Sequence, residues 1–223
     1  MEMEARKIFV DLEMNPIPQK YGKEKSVCRL ETIEFGAVML DENNQEISSF
    51  CQYVRPVYCE KIYANIEKLT GISWEMVEAA APFPEVLSRF SVWCGKPDYT
   101  VFSWSESDLL QLKQEGELKR VKVTDSLNYM YGHWKDFQKE YRALFPLDKI
   151  MSLENAIYLC GLDFKGRAHD GLNDARMTAE LYRYVKDSDQ FADLQRRIQE
   201  LFTPTTFTLG DMIDISVLNL PKD

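Results

Sequence analysis

A chain of 223 residues with a net charge of −9 has the length of one ordinary domain, and 45% hydrophobic with 28% charged residues can fill a sizeable core. That balance excludes a largely disordered chain, and no apolar run approaches the roughly 18–20 residues needed to cross a bilayer. The acidic surplus argues against gripping duplex DNA by phosphate neutralisation alone, but not against acidic groups that bind divalent cations.

The opening stretch, Met1 to Lys7, lacks a charged-then-apolar leader pattern and points to a cytoplasmic protein. Lys7 to Leu12 reads as a buried strand, with Ile8, Val10 and Leu12 on one face and Phe9 on the other. A polar loop from Asn15 to Ser26 follows. Thr32 to Leu40 is a second strand, Asp41 to Asn44 a turn, and Ile47 to Val54 a third strand, so the chain opens as an antiparallel meander.

From Ala64 to Trp93 the period becomes helical, broken at Thr70-Gly71 and at Pro82-Phe83-Pro84. Tyr99 to Trp104 is a short strand and Asp108 to Glu117 a helix behind it. Val121 to Leu127 reads as the fifth strand. Helices are expected over Tyr129–Leu144, Ser152–Cys160, Leu172–Val185 and Phe191–Phe202, with an added strand in the tail around Phe207 to Leu218. Strands in a meander followed by alternating strands and helices describe an α/β sheet of mixed order.

The five cysteines (Cys28, Cys51, Cys59, Cys94 and Cys160) include no CxxC pair. They read as free thiols in a reducing compartment, with neither a zinc site nor a disulfide framework.

Three groups of residues carry chemistry. Asp11 and Glu13 stand two apart on a strand, so their carboxylates project to the same side. Like charges that close repel unless a cation neutralises them, and oxygen ligands suit Mg²⁺ or Mn²⁺. A strand that simply ends in solvent at Glu13 fits the pair equally well. His169 and Asp174 flank the start of an amphipathic helix; an imidazole of unperturbed pKa ~6.5 suits proton removal from water, while a surface histidine before a capped helix is the plainer alternative. Asp108 follows a short strand, with Glu106 as an acidic rival and a capping box from Ser105 to Asp108 as the structural alternative.

Taken together, these pieces resemble the DEDDh (DnaQ-like) 3′→5′ exonucleases over most of residues 7 to 187. Phe9-Val10-Asp11-Leu12-Glu13 looks like the first motif, Ser103 to Asp108 like the second, and His169 to Asp174 has the His-x-x-x-x-Asp spacing of the third. Glu34 to Val38 resembles the second strand of that family, and Leu69 to Ser73 with Met76-Val77 resembles a segment near the 3′-terminal nucleotide. The wording is most similar to the enhanced-RNAi and histone-mRNA 3′ exonuclease branch and its small bacterial, KapD-like relatives. Two departures stand out: Ser105 replaces a usual Gly, and Asn173 replaces a frequent Asp.

The resemblance implies a ribonuclease-H-like mixed five-stranded sheet flanked by helices. It divides the chain into an exonuclease domain over residues 1–190 and a C-terminal helix and extended tail, 191–223, packed on it. It implies that Asp11, Glu13, Asp108 and Asp174 hold two divalent ions, Mg²⁺ or Mn²⁺, with His169 as general base. Nucleoside 5′-monophosphates would leave single-stranded 3′ ends, RNA slightly favoured over DNA. Leu69, Thr70 and Trp104 would contact the terminal base, and Lys165, Arg167 and Arg176 would offset the acidic site. For Trp104 a core role fits as well, and for the three basic residues ordinary solvated surface does. A nuclease fold that binds without cutting, and a small-nucleotide hydrolase, are the competing readings.

Overall fold

The computed structural model describes residues 6–144, 151–163 and 166–202; Lys165 and the tail after Phe202 lie outside the described residues. Strand β1 (Arg6–Pro16) pairs antiparallel with β2 (Leu30–Leu40), and β2 pairs antiparallel with β3 (Glu46–Tyr53). Between β1 and β2, the segment expected as a loop winds into a 3₁₀ turn at Gln19–Tyr21 and helix α1 (Gly22–Val27). Between β2 and β3, Asp41 Oδ1 accepts the Asn43 and Gln45 amides, and Asn44 takes a left-handed φ of 60°, as a tight Asx-type turn requires.

Helices α2 (Ala64–Thr70), α3 (Trp74–Val77) and α4 (Phe83–Cys94) come next, broken where the Gly and Pro residues stand. Strand β4 (Tyr99–Ser103) pairs parallel with β1 from Arg6↔Tyr99 to Val10↔Ser103. It leads into α5 (Ser107–Leu118) and α6 (Asp125–Gly132).

The fifth strand is not the one expected. Residues 121–124 are irregular, and the Thr124 side chain accepts the Leu127 amide to cap α6; cap chemistry outweighs the local apolar alternation. The strand that does join the sheet is β5 (Trp134–Asp136), parallel to β4. The single helix expected over Tyr129–Leu144 is therefore split into α6, β5 and α7 (Phe137–Ala143), with Asp136 capping α7. Helices α8 (Leu153–Leu159), α9 (Gly171–Lys186) and α10 (Ser188–Phe202) complete the described chain.

The sheet order is β3-β2-β1-β4-β5, a mixed five-stranded sheet with helices on both faces. Residue parity along β1 sets the two apolar layers. Ile8, Val10 and Leu12 pack with Phe83, Leu87 and Phe90 of α4 and with Leu127 and Met130 of α6. Phe9 faces the other way, against Tyr182 of α9, Phe137 of α7, and Leu194 and Ile198 of α10. Among the described residues, no helix is long and apolar enough to cross a membrane, and all five cysteines are free thiols.

Candidate active site

Parity that sends Phe9 towards α9 sends Asp11 and Glu13 the same way. Asp11 is half-buried and Glu13 buried. Beyond Glu13 the β1–β2 register shifts, a bulge that bends the strand just past its second carboxylate.

Asp108 reaches this end of β1 through a vacancy in the sheet. The β1–β4 ladder stops at Val10↔Ser103, so the Leu12 amide has no strand partner on that side. Asp108 Oδ1 accepts it at 3.1 Å. The buried Asp108 side chain is thus committed to β1, and Ser105 Oγ meets Ser107, so the alternative capping box from Ser105 to Asp108 does not form. Glu106 points elsewhere and is exposed, with Lys139 Nζ 2.7 Å away.

Asp174 arrives on the first turn of α9, whose entry is fixed from both sides. Gly171 N–H donates to Glu34 Oε2 at 2.9 Å. A Cβ on Gly36 would overlap the Gly171 and Leu172 backbone, and Gly36 is the β2 partner of Asp11. The helix start therefore lies against the sheet at the pair that carries the first carboxylate. Asp170 caps α9 by accepting the Asn173 amide. Asn173 in turn donates from Nδ2 to the Arg167 carbonyl at 3.0 Å, which a carboxylate at that position could not do.

His169 holds a left-handed φ of 61°, uncommon for a residue with a Cβ and a strain on the order of 1–3 kcal/mol that persists only where the surroundings hold it. The enforcing contact is Asp174 Oδ2, which accepts the His169 N–H at 3.1 Å. One ligand atom each from Glu13, His169 and Asp174 lie within 4.8 Å of one another, with the imidazole exposed and both carboxylates buried.

Crowding acidic groups under cover raises all of them. Burial, then the charges of Asp108, Asp174, Glu13 and Glu34, pushes Asp11 well above the usual carboxylate range. Burial followed by Asp174 and Glu34 pushes Glu13 to about 8. Burial lifts Asp108 to about 7 against the pull of the Leu12 amide, and lifts Asp174 to about 7 against that of His169. Meanwhile Asp174 Oδ1 is buried without a hydrogen-bond partner. An orphaned carboxylate oxygen amid raised, mutually repelling carboxylates is what a divalent cation would relieve, and an oxygen-rich donor set fits Mg²⁺ or Mn²⁺.

The four residues expected to contact substrate separate. Trp104 is a core side chain, 8% exposed, packed on Phe137 and Tyr141 with its indole N–H on the Met151 carbonyl. Thr70 is buried and bonds its own loop, donating to Ile66 O and accepting the Ile72 amide. Leu69 is 46% exposed. Arg167 donates to the Lys68 and Leu69 carbonyls at 2.8 and 3.1 Å, satisfying the unpaired end of α2, while Arg176 pairs with Glu46. Sequence reading did not single out Glu34, Gly36 or Gly171 as site-building residues; their joint role depends on β2 meeting α9, far apart in sequence.

A mixed β3-β2-β1-β4-β5 sheet with a carboxylate cluster at the end of its central strand defines a ribonuclease-H-like nuclease fold. The RNase_T family of exonucleases matches residues 8–182, and the chain belongs to that family. Among curated relatives, ERI1 exoribonuclease 2 of Danio rerio is 34% identical over 213 residues, covering 84% of this chain and 38% of that protein. The probable 3′-5′ exonuclease KapD of Bacillus subtilis is 22% identical with 95% of each chain covered. The chain thus spans under two fifths of its zebrafish relative. The crystallographic nuclease domain of 3′hExo, a DEDDh family member bound to rAMP, superposes with a TM-score of 0.71 at 23% identity, covering 85% of this chain and 96% of that one.

Proposed function

We propose that this chain is a metal-dependent 3′→5′ exonuclease that releases nucleoside 5′-monophosphates from single-stranded nucleic acid, with RNA favoured over DNA. The observation that carries the reading is the cluster itself: raised carboxylates, with Glu13, Asp108 and Asp174 buried and Asp11 half-buried, around an unpartnered Asp174 oxygen, with an exposed imidazole at its edge. Asp11, Glu13, Asp108 and Asp174 are the residues to hold two Mg²⁺ or Mn²⁺ ions. Bound there, the ions supply Lewis acidity and positive charge at the scissile phosphate.

The remaining work falls to the chain's own groups. His169 takes the proton of the attacking water and, being exposed, passes it to solvent. Leu69 offers an apolar contact to the terminal base. Arg167 holds the Lys68–Leu69 backbone beside the His169 loop, so its part is positioning. The preference for RNA follows the exoribonuclease names of the zebrafish and human relatives, 34% and 29% identical, and the cytoplasm suits five free thiols.

A 5′-labelled single-stranded RNA and the matching DNA, incubated with Mg²⁺, Mn²⁺ or EDTA, test the proposal. A metal-dependent ladder shortening from the 3′ end, weakened in His169→Ala, is expected. Intact oligomers under every metal condition would remove the exonuclease reading and leave a nuclease fold that binds without cutting.

A further inference from the structure

Away from the carboxylates, the segment after β1 and the loop leading into α2 border a half-open cavity of about 400 Å³, whose lining includes Pro18, Lys20, Tyr58, Glu60, Lys61 and Tyr63. We propose that this cavity binds a nucleotide of the substrate strand a few positions upstream of the 3′ end, an inference that rests on the exonuclease reading above.

The wall is built in advance. Glu31, fully buried, accepts the Val57 and Tyr58 amides at 2.7 and 2.9 Å and pairs with Lys119 at 3.0 Å. Asn15, also fully buried, accepts the Tyr63 amide and donates to the Lys61 carbonyl. Both ends of the loop are therefore tied to β1 and β2 by inward-facing side chains, and its outward groups can be held in place without a ligand.

The lining has nucleotide chemistry. Tyrosine rings offer faces or edges on which a base of any identity can rest, and lysines offer charge to the phosphate. Tyr58 is braced edge-on by Tyr21 at 5.2 Å, and Lys20 Nζ lies 5.0 Å from the Tyr21 ring centre. Lys20 is matched only loosely with Glu60, at 3.9 Å between two well-exposed side chains, a pair worth little in water and easily exchanged for phosphate. The adjoining segment carries Lys23, Lys25 and Arg29 against Glu24 alone, in a chain of net charge −9. Among the described residues none of these three cations makes an ion pair.

Position links the cavity to the site. Helix α2 starts just after Tyr63 and ends at Thr70, beside the Arg167 side chain that ties it to the His169 loop. Its seven residues span roughly 10 Å at ~1.5 Å each, a stretch that a few nucleotides bridge. The bulged end of β1 makes the same connection, from Glu13 to Pro18.

Fluorescein-labelled RNA oligomers, from dinucleotide to heptanucleotide, titrated by anisotropy onto the His169→Ala protein in Mg²⁺ give the test. Affinity is expected to climb with length. In the added presence of Lys20→Ala and Lys61→Ala that climb is lost, the heptanucleotide binding roughly tenfold weaker and the slope of log affinity against log salt shallower by about 1.4. Tyr58→Ala weakens it without changing the slope, and Glu60→Gln tightens it. Equal heptanucleotide affinity with and without the two lysines would overturn the proposal. Should wild type cut a 3′ ladder while the lysines have no effect on binding, the cavity assignment falls and the exonuclease reading stands. Should no ladder appear while binding still depends on both lysines, the exonuclease reading falls and the cavity remains a nucleic-acid site.

Discussion

Gly36 and Gly171 meet backbone to backbone, so that β2 and the first residue of α9 occupy space in which neither has room for a side chain on Gly36. Since Gly36 is paired with Asp11 and Asp174 lies one turn into α9, this contact sets the separation of two carboxylates. Gly36→Ala is expected to cost about 1–3 kcal/mol of stability by overpacking and to lower activity further than that loss accounts for. Thermal unfolding and ladder assays on the same preparation check it; full activity in a destabilised protein would show that the contact serves folding alone.

His169 carries the proton step of the proposed reaction. Its replacement by Ala should lower kcat by roughly 10²–10⁴-fold while leaving metal affinity nearly unchanged, because the carboxylates stay. Single-turnover rates alongside Mn²⁺ titration separate the two effects, and a comparable loss of metal binding would recast His169 as a ligand.

With metal stripped, the carboxylates make stability depend on pH in an unusual direction. Glu13, held at about 8, and Asp108 and Asp174, at about 7, bind protons more tightly folded than unfolded. Their contribution is complete below the unfolded values and is lost as pH rises through 7 to 8. The melting temperature in EDTA should therefore fall between pH 5.5 and 8.5, and saturating Mn²⁺ should flatten the fall by taking the place of the protons. A melting temperature in EDTA that holds steady across this range would contradict the crowding of the cluster.

Trp104 and Leu69 should respond in opposite ways. Trp104→Ala empties a core position and is expected to cost about 3–5 kcal/mol, read as a lower melting temperature. Leu69→Ala should leave melting unaltered and raise KM severalfold for oligonucleotides, through lost contact with the terminal base. If Leu69→Ala changes neither quantity, the base is held elsewhere.

Much of this architecture can be read from local pattern. Alternation from Ile8 to Leu12 orients the central strand, and the spacing of His169 and Asp174 around a capped helix start marks the third motif, because both are properties of a few adjacent residues. What escapes is decided between distant segments. Trp134–Asp136 is a strand only because the edge of β4 is there to receive it, and nothing in three mixed residues announces that. Asp108 and Glu106 are equivalent on paper; it is Asp108 that turns in to β1, because β4 ends early enough to free the Leu12 amide. Arg167 resembles a phosphate-binding side chain until the open carbonyls of α2 are found beside it.

The alternation along β1 also bears on how the chain finds its own pairing. A slip of one residue against β2 would swing Asp11 and Glu13 into the apolar layer beneath α4 and bring Val10 and Leu12 out towards α9. Two carboxylates without partners among Phe35, Phe90 and Leu87 would make that arrangement costly. The acidic residues proposed to serve the reaction thus mark the register during folding, and replacing both by apolar residues would remove a penalty on the misaligned sheet as well as an activity.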